Sequence, residues 1–226
     1  MSDLVNKVIN KLVIIGAGGL GREVAWLVER INGVRLTWDY LGFLDDNIDL
    51  VSKRLNNYTV LGTTEWLKNH NDVYVVCAVG NSQVRKEIIE RVCKYGNIKF
   101  ATLVDPSVIM SNTSSIGYDS IICANTSITV NVNISNHVIV NPNCTIGHDS
   151  IIGEFVTLYP CAGIAGNCII EDEVELGTGM KVIQGIKIGE KTIIGAGAVV
   201  INDIPSNCTA VGIPAKPIEK GFRYSN

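Results

Sequence analysis

Charged, aromatic and histidine side chains are all scarce in this chain of 226 residues. Only 18% of the residues are charged and the formal net charge is −3, so no face is forced to be basic and a nucleic-acid partner is not expected. Such a low charge content is unusual for a small monomer, and it favours an oligomer.

The sequence also lacks a long apolar run and the apolar core of a signal peptide. We therefore expect no membrane span and a cytoplasmic location. The seven cysteines include no Cys-x-x-Cys pair, which favours buried free thiols over disulfides or zinc. The three histidines, His70, His137 and His148, are too few and too dispersed for a three-histidine zinc site, so no metal is expected.

The strongest pattern in the sequence is a repeat of six residues. From Val104 to Pro205 an aliphatic residue opens each of seventeen consecutive blocks. A period of six fits neither an α-helix nor an alternating strand, and it is typical of a parallel β-helix. We assign residues 104–217 to this solenoid, with three blocks to a coil, and residues 218–226 to a polar tail.

The fourth position of each block is predicted to form a corner of the solenoid. Asn, Asp or Gly tolerates the left-handed backbone conformation that a sharp corner requires. These residue types occupy the fourth position in ten blocks: Asp119, Asn125, Asn131, Asn143, Asp149, Asn167, Gly179, Gly185, Gly197 and Asp203.

Residues 1–103 predict a small α/β domain. A strand at 11–15 runs into Gly16-Ala-Gly-Gly-Leu-Gly21, a helical stripe follows, and a second strand ends at Asp45 and Asp46. In this context the helix N-terminus can bind an anion and the two acids can bind a ribose. We therefore prefer nucleotide binding to the alternative interpretation, a tight turn that binds no ligand. A buried strand at 73–79 then stops at Gly80-Asn81. We interpret the domain as half of a doubly wound fold, because the six-stranded sheet of a full NAD site does not fit in this length.

His148 and Asp149 are the strongest candidates for chemistry. His148 takes the third position of its block, hence an outward corner, and a neighbouring carboxylate can fix its tautomer and raise its basicity. A step of eighteen residues, one coil, leads from His148 to Gly166, whose bare N–H would face a developing oxyanion; the same step leads from Thr178 to Ala196. Because hexapeptide solenoids often carry acyl transfer, we prefer this interpretation to a surface histidine with a chance acidic neighbour.

The other two histidines are assigned no chemistry. His137, at a fourth position, is also expected to point outward from a corner, and it has no acid within three residues on either side. His70 ends a short predicted helix in a polar context, and we expect it to be solvated.

The combination of motifs resembles the bacterial sugar acetyltransferases of the NeuD/PglD type over essentially the whole chain. The matching segments are Gly16 to Gly21, Ile146-Gly-His-Asp-Ser-Ile-Ile-Gly-Glu154, Ala165-Gly-Asn167, Ile194-Gly-Ala-Gly-Ala198 and Gly212-Ile-Pro-Ala-Lys216. The resemblance implies an α/β half-Rossmann-like domain followed by a left-handed parallel β-helix, whereas the general rule for crossovers would have given a right-handed coil. It also implies a homotrimer, acetyl-CoA as donor and active sites in clefts between neighbouring solenoids.

Carried over residue by residue, the resemblance makes His148 the general base and Asp149 its partner. The acetyl-CoA residues would be Gly166, Ala196, Pro214 and Lys216. The residues that would hold a nucleotide sugar are Gly16, Gly18, Gly19, Leu20, Gly21, Asp45, Asp46, Gly80 and Asn81. Two positions depart from members of the family, since Leu20 and Thr157 stand where some of them carry histidine.

These observations predict an enzyme that moves an acetyl group from acetyl-CoA to the amine of a nucleotide-linked amino sugar. The alternative is O-acetylation of a sialic acid or of a surface-polysaccharide sugar. A non-catalytic or carbonic-anhydrase-like solenoid and a nicotinamide-dependent enzyme remain as alternatives of other classes.

Overall fold

A computed structural model describes residues 9–218 of the protein. The predicted tail at 218–226 lies, except for Ile218, outside the described residues, as do residues 1–8 at the start of the predicted first domain. Neither α-helix in the described part of the chain is long and apolar enough to cross a membrane.

The first hundred residues form a twisted sheet with helices against it. Its strands are β1 (Asn10–Ile15), β2 (Trp38–Leu44), β3 (Arg54–Leu55), β4 (Tyr58–Gly62), β5 (Tyr74–Cys77) and β6 (Lys99–Phe100), in the order β3-β4-β2-β1-β5-β6. The α-helices are α1 (Gly19–Val34) and α2 (Ser82–Val92), and short 3₁₀ turns span Ile48–Leu50, Thr64–Asn69 and Cys93–Tyr95.

The expectation that six strands would not fit in this length was wrong. Two of the six, β3 and β6, are only two residues long, and β3 runs antiparallel to β4. The remaining pairs are parallel, and β1, at the centre, is buried along Leu12 to Ile15. The domain therefore reaches six strands by shortening those at its edges.

The rest of the chain is a three-sided β-helix. Its strands, β7 to β25, are Leu103–Val104, Ile109–Met110, Ser115–Ile116, Ile121–Ile122, Ser127–Ile128, Asn133–Ile134, Ile139–Val140, Thr145–Ile146, Ile151–Ile152, Thr157–Leu158, Gly163–Ile164, Ile169–Ile170, Glu175–Leu176, Lys181–Val182, Lys187–Ile188, Ile193–Ile194, Val199–Val200, Thr209–Val211 and Lys216–Ile218. The first face stacks β7, β10, β13, β16, β19, β22 and β24, with β25 at its edge. The second face stacks β8, β11, β14, β17, β20 and β23, and the third stacks β9, β12, β15, β18 and β21.

The predicted period holds up to Val200 and then shortens. Stacked residues such as Ile121 and Ile139 are eighteen apart, as three blocks of six require. Above Ile188 and Ile194, however, the partners are Ile204 and Ala210, sixteen residues later. The block that begins at Val200 therefore has four residues, and the missing pair falls at the corner between the second and third faces.

The corners have the backbone that the sequence predicts. In the fourteen blocks from Ile116 to Ile194 every fourth residue has a positive φ, and His137, Phe155, Cys161, Glu173 and Lys191 adopt it as well as Asn, Asp and Gly. Asp203 is the exception among the ten predicted corners, because the shortened block moves the next left-handed residue to Asn207.

The α/β domain covers the first face from Leu103 to Glu175 and part of the corner between the third and first faces. The corner between the first and second faces stays open, since Asn125, Asn143, Thr178 and Ala196 are exposed there. Ile121 and Ile139, which point outward from that face, are fully buried in one cluster with Leu12 and Val24. The corner between the second and third faces lies on the opposite side of the prism. Two isoleucines of the third face close to that corner, Ile151 and Ile169, remain 48% and 43% exposed.

His137 lies at a corner and outside the core of the β-helix, as expected, but it does not reach solvent. Its corner, between the third and first faces, lies beneath the α/β domain, and only 5% of the residue is exposed. Its ring stacks on Phe155, and Nδ1 lies 2.7 Å from Asp119 Oδ2. His70 is also partly covered, with its ring stacked on Trp66.

Candidate active site

His148 and Asp149 lie on the corner between the second and third faces, where β14 gives way to β15. Asp149 takes the left-handed conformation, with φ of 58°, which turns the chain and brings its carboxylate beside the imidazole. His148 Nδ1 is 2.8 Å from Asp149 Oδ2, and the side chains are 49% and 51% exposed. The pair is therefore formed within one corner and is open to a ligand.

Asn131, one coil before Asp149, completes this arrangement. Its side-chain N–H donates to Asp149 Oδ1 at 2.9 Å. The hydrogen bond from Asn131, followed by that from His148, lowers the pKa of Asp149. An ionised Asp149 accepts the Nδ1–H of His148, so that Nε2 keeps its lone pair and can act as a base.

Gly166 lies on the next coil against the imidazole, as the eighteen-residue step predicts. A Cβ added to Gly166 would come within 2.3 Å of His148 Nε2, so only glycine leaves the ring in this position. Among the described residues, no acceptor pairs with the Gly166 N–H. An imidazole nitrogen and an unpaired backbone donor therefore lie side by side, an arrangement that can provide a general base and an oxyanion donor.

The other predicted acetyl-CoA residues surround the second face. Ala196 stacks above Thr178 on the corner between the first and second faces, where the Gly197 N–H bonds to the Thr178 carbonyl at 2.8 Å. The turn before Lys216 closes the end of the second face, with Ala215 N bonded to Val199 O. Pro214 and Lys216 are exposed there. The four residues thus border one face from both sides and from its end.

The glycine loop connects β1 to α1 at the carboxyl edge of the α/β sheet. Gly16 has φ of 99°, and a Cβ on Gly21 would lie 1.9 Å from Gly16 O, so these two glycines are required by the fold. A Cβ on Gly18 or Gly19 would meet nothing within 4 Å. No side chain caps α1, and its first turn contains no acid, which leaves backbone N–H groups available to an anion.

The two predicted ribose acids have partners within the chain. Asp45 accepts from Ala17 N at 2.8 Å and from Asn47 N at 2.9 Å. Asp46 accepts from Thr64 and forms an ion pair with Arg91. A cleft of about 280 Å³ opens beside both acids, and its lining also includes Ile15, Gly16, Val79, Val84, Glu87, Ile88 and Arg91.

Gly80 and Asn81 follow β5 at the same edge. The Asn81 side chain caps α2 by accepting from Val84 N at 2.9 Å. A Cβ on Gly80 would lie 3.8 Å from Leu20 and 4.0 Å from the hydroxyl of Tyr159, which belongs to the β-helix. The predicted nucleotide-sugar residues thus meet at one edge of the sheet, against the first face.

The structure does not bring this group and His148 together within one chain. The glycine loop and Gly80 lie on the side of the prism that the α/β domain covers, whereas the His148 corner is opposite the first face. One group belongs to the domain that precedes the solenoid, and the other to the solenoid corner farthest from it.

Sequence reasoning missed several residues around these groups. Asn131 beneath Asp149 and Asp119 beneath His137 are each one coil away, so a backward step of eighteen residues would have found them. Thr157, known from the sequence only as a departure from the family, and Glu175, one coil after it, join the α/β domain to the β-helix. Arg85 makes the same connection from α2 and has no sequence signal of this kind.

Comparisons with known proteins find relatives along nearly the whole chain. Residues 11–92 match the family model of the PglD N-terminal domain. The chain is 31% identical over 220 residues to GDP-perosamine N-acetyltransferase of Escherichia coli O157:H7, covering 94% of this chain and 98% of that protein.

Two solved structures extend the likeness to the whole fold. The acetyltransferase domain of PglB from Neisseria gonorrhoeae FA1090, in complex with acetyl coenzyme A, is 34% identical with a TM-score of 0.85, over 93% of this chain and all of that one. A mutant of perosamine N-acetyltransferase from Caulobacter crescentus, in complex with CoA and GDP-perosamine, is 25% identical with a TM-score of 0.83, over 94% and 99% of the two chains. The expected Rossmann-like domain and left-handed parallel β-helix are confirmed. The chain belongs to the NeuD/PglD-type family of sugar acetyltransferases.

Proposed function

We propose that this enzyme transfers the acetyl group of acetyl-CoA to the amine of a nucleotide-linked amino sugar, with His148 as the general base. The observation that carries the proposal is the exposed His148–Asp149 pair, whose Nε2 lies against Gly166 on the next coil. The names of the matched proteins, a GDP-perosamine N-acetyltransferase and a complex with CoA and GDP-perosamine, support both substrates.

Each residue of the corner has a defined task in this reaction. Asp149 holds the Nδ1–H of His148, and Asn131 holds Asp149. His148 Nε2 removes a proton from the amine as its nitrogen attacks the thioester carbonyl carbon, and the Gly166 N–H stabilises the oxygen on which negative charge develops. The C–S bond then breaks, and coenzyme A leaves as the thiol with the proton that His148 returns.

The residues beside His148 fit acetyl-CoA, which supplies the acetyl group as a thioester. The free N–H of Gly166 suits the carbonyl group. The small residues Ala196 and Gly197 leave room on the far corner of the second face, where a Cβ on Gly197 would meet nothing within 4 Å. Lys216, exposed at the end of that face, carries the charge that a phosphate requires.

The acceptor is assigned to the glycine loop and Gly80. The uncapped N-terminus of α1 suits the diphosphate, and the cleft beside Asp45 suits the nucleoside. The sugar end would then extend toward Leu20, Gly80 and Asn81.

We further propose a homotrimer in the cytoplasm. Because the acceptor group and His148 are on opposite sides of one prism, an acceptor held by one copy can be served by the His148 corner of another. The exposed isoleucines near that corner, Ile151, Ile169 and Ile183, provide an apolar surface for such a neighbour. Free thiols and an acetyl-CoA donor both fit a reducing cytoplasm.

A direct transfer assay tests the reaction. The protein would be incubated with acetyl-CoA and with UDP-, dTDP- and GDP-linked 4-amino sugars, and the products analysed by mass spectrometry. We expect N-acetylation of one of them, at a rate that depends on its nucleotide. Acetylation of sialic acid or polysaccharide hydroxyls without any amine product would favour the O-acetyltransferase alternative instead.

Mixed oligomers test whether the site is shared between copies. His148→Ala removes the base, and Gly19→Asp places a carboxylate where the diphosphate is expected, at a position with room for a side chain. Each variant alone should be inactive. After denaturation and refolding together in equal amounts, about one quarter of the shared sites should be intact and activity should return. No recovery of activity in verified mixed oligomers would place the whole site within one chain.

A further inference from the structure

The segment Val79–Ser82, here named the acceptor loop, is attached to the β-helix by an unusual set of hydrogen bonds. At its centre is Arg85, the largest side chain of the described residues with no measurable exposure. All five of its N–H groups donate to main-chain carbonyls, and none of these bonds is to a carboxylate.

These five bonds join two parts of the molecule. Arg85 Nη1 donates to Val79 O at 2.7 Å and to Gly80 O at 3.1 Å, within the acceptor loop. Arg85 Nη2 donates to Phe155 O at 2.6 Å and to Val156 O at 3.3 Å, and Nε donates to His137 O at 3.0 Å, all in the β-helix. One planar group therefore sets the distance between the loop and two successive coils.

Two residues of the first face hold the acceptor loop at other points. Thr157 Oγ1 donates to Gly80 O at 2.8 Å. Glu175 accepts from Ser82 N at 2.9 Å and from Ser82 Oγ at 3.0 Å through one oxygen, and from the Tyr159 hydroxyl at 3.0 Å through the other. The loop is thus held on one side by Arg85 and on the other by Thr157 and Glu175.

The α/β domain has a second polar attachment to the β-helix that does not involve this loop. Arg30, on α1, forms a bidentate ion pair with Asp105 at 2.6 and 3.0 Å. It joins the same two domains with the same residue type, and its partner Asp105 lies at the start of the solenoid. Arg30 is therefore a natural control for any effect of simply loosening the contact between the domains.

We infer that Arg85 is a positioning residue, which fixes the acceptor loop on the β-helix so that the amine of a nucleotide-linked sugar is presented in one orientation. The inference rests on the proposed function, because the loop is assigned there to the acceptor. The buried guanidinium group of Arg85 remains charged, although all of its hydrogen bonds are to carbonyl groups. Its rigid planar shape directs five N–H groups at once, which the flexible ammonium group of lysine cannot reproduce.

The test compares two acceptors with Arg85→Lys, which keeps the charge. The first acceptor is the best of the UDP-, dTDP- and GDP-linked 4-amino sugars, and the second is the same amino sugar without its nucleotide. For the nucleotide-linked sugar, kcat/KM should fall by about 10²-fold, since small misplacements of a bound reactant have effects of this order. The slow rate with the free amino sugar and the KM for acetyl-CoA should remain those of the wild type. Thr157→Val, which removes one of the loop's attachments, should give a smaller loss in the same direction.

Four outcomes separate the inference from its alternatives. If Arg85→Lys loses activity with both acceptors in proportion, or if Arg30→Gln loses selectivity equally, Arg85 contributes only to folding or to general domain contact, and the inference is overturned. It is also overturned if Arg85→Lys keeps full selectivity while circular dichroism shows a native fold. Failure of the wild type to acetylate any nucleotide-linked amine would instead refute the proposed function.

Discussion

Two corners of the β-helix carry a histidine beside an aspartate, and the two pairs have nearly the same geometry. His137 Nδ1 lies 2.7 Å from Asp119 Oδ2, and His148 Nδ1 lies 2.8 Å from Asp149 Oδ2. The side chains of the first pair are 6% and 0% exposed, whereas those of the second are 49% and 51% exposed. The difference arises from the α/β domain, which covers one corner and leaves the other open.

Burial beneath the α/β domain changes what a histidine–aspartate pair can do. Burial raises the pKa of Asp119, against the opposing effect of its hydrogen bond with His137, while Asn131 and His148 lower the pKa of the exposed Asp149. The buried pair is enclosed by Phe100, Tyr118 and Phe155, which leaves no room for a substrate. The same two residue types therefore stabilise a domain contact at one corner and can serve a reaction at the other.

Removal of the exposed histidine should have the largest effect on catalysis. His148→Ala should lower kcat by about 10²–10⁴-fold, the usual contribution of a general base, because Nε2 no longer accepts the proton of the amine. The urea midpoint, followed by circular dichroism, should remain that of the wild type, since half of the side chain is in solvent. Activity within about threefold of the wild type would remove His148 from the mechanism.

The same substitution at the buried corner should give the opposite result. His137→Ala should lower the free energy of unfolding by about 3 kcal/mol, since buried Asp119 loses a partner and Phe155 loses a stacked ring. The kcat of the folded enzyme should hardly change. His137→Gln, which retains a donor, should be less destabilised in urea. A stable His137→Ala protein with a large loss of kcat would mean that this corner also takes part in the reaction.

The repeat predicted where the corners of the β-helix lie, but not which of them the α/β domain covers. Its period placed Gly166 against His148, because stacked coils repeat whatever the side chains are. Which face the α/β domain would cover was not predictable, since isoleucine points outward both from the buried first face, at Ile139, and from the exposed third face, at Ile151. Because outward-facing isoleucines occur on both faces, tertiary packing decides which face the α/β domain covers.

Neither the four-residue block that begins at Val200 nor the burial of Arg85 could be predicted from the sequence. Ile204 occupies the fifth position of its block in the sequence, where apolar residues are normal, so the loss of two residues before it left no visible break in the pattern. Arg85 lies on a helix, where a charged residue usually marks the solvated face. Its burial depends on carbonyl groups more than fifty residues away in the sequence.

Within the exposed pair, the carboxylate should matter less than the imidazole. Asp149→Asn keeps an oxygen that can accept from Nδ1 but removes the charge that stabilises the protonated ring, so kcat should fall by about 10–100-fold. Asn131→Ala, which removes only the second donor to Asp149, should cost less again. Steady-state kinetics at saturating acetyl-CoA would rank the three variants. A loss for Asp149→Asn as large as that for His148→Ala would mean that Asp149 does more than orient the base.

The smallest effect should come from the ion pair at the edge of the covered side, and it should depend on pH. The hydrogen bond from the Arg30 guanidinium, helped by two from Ser107, lowers the pKa of Asp105 from its ordinary value of 3.8 to about 2. When folding lowers the pKa of a carboxyl group, the ionised group stabilises the folded state. This stabilisation is complete above the pKa of the unfolded state and is lost as the pH falls toward the pKa of the folded state. Arg30→Gln should therefore have a lower urea midpoint than the wild type at pH 7, and this difference should shrink between about pH 4 and pH 2. Other carboxylates titrate in both proteins, so the comparison isolates Asp105. A difference in midpoint that is unchanged at the acid end would show that Arg30 stabilises the covered side by packing on Trp26 and not through Asp105.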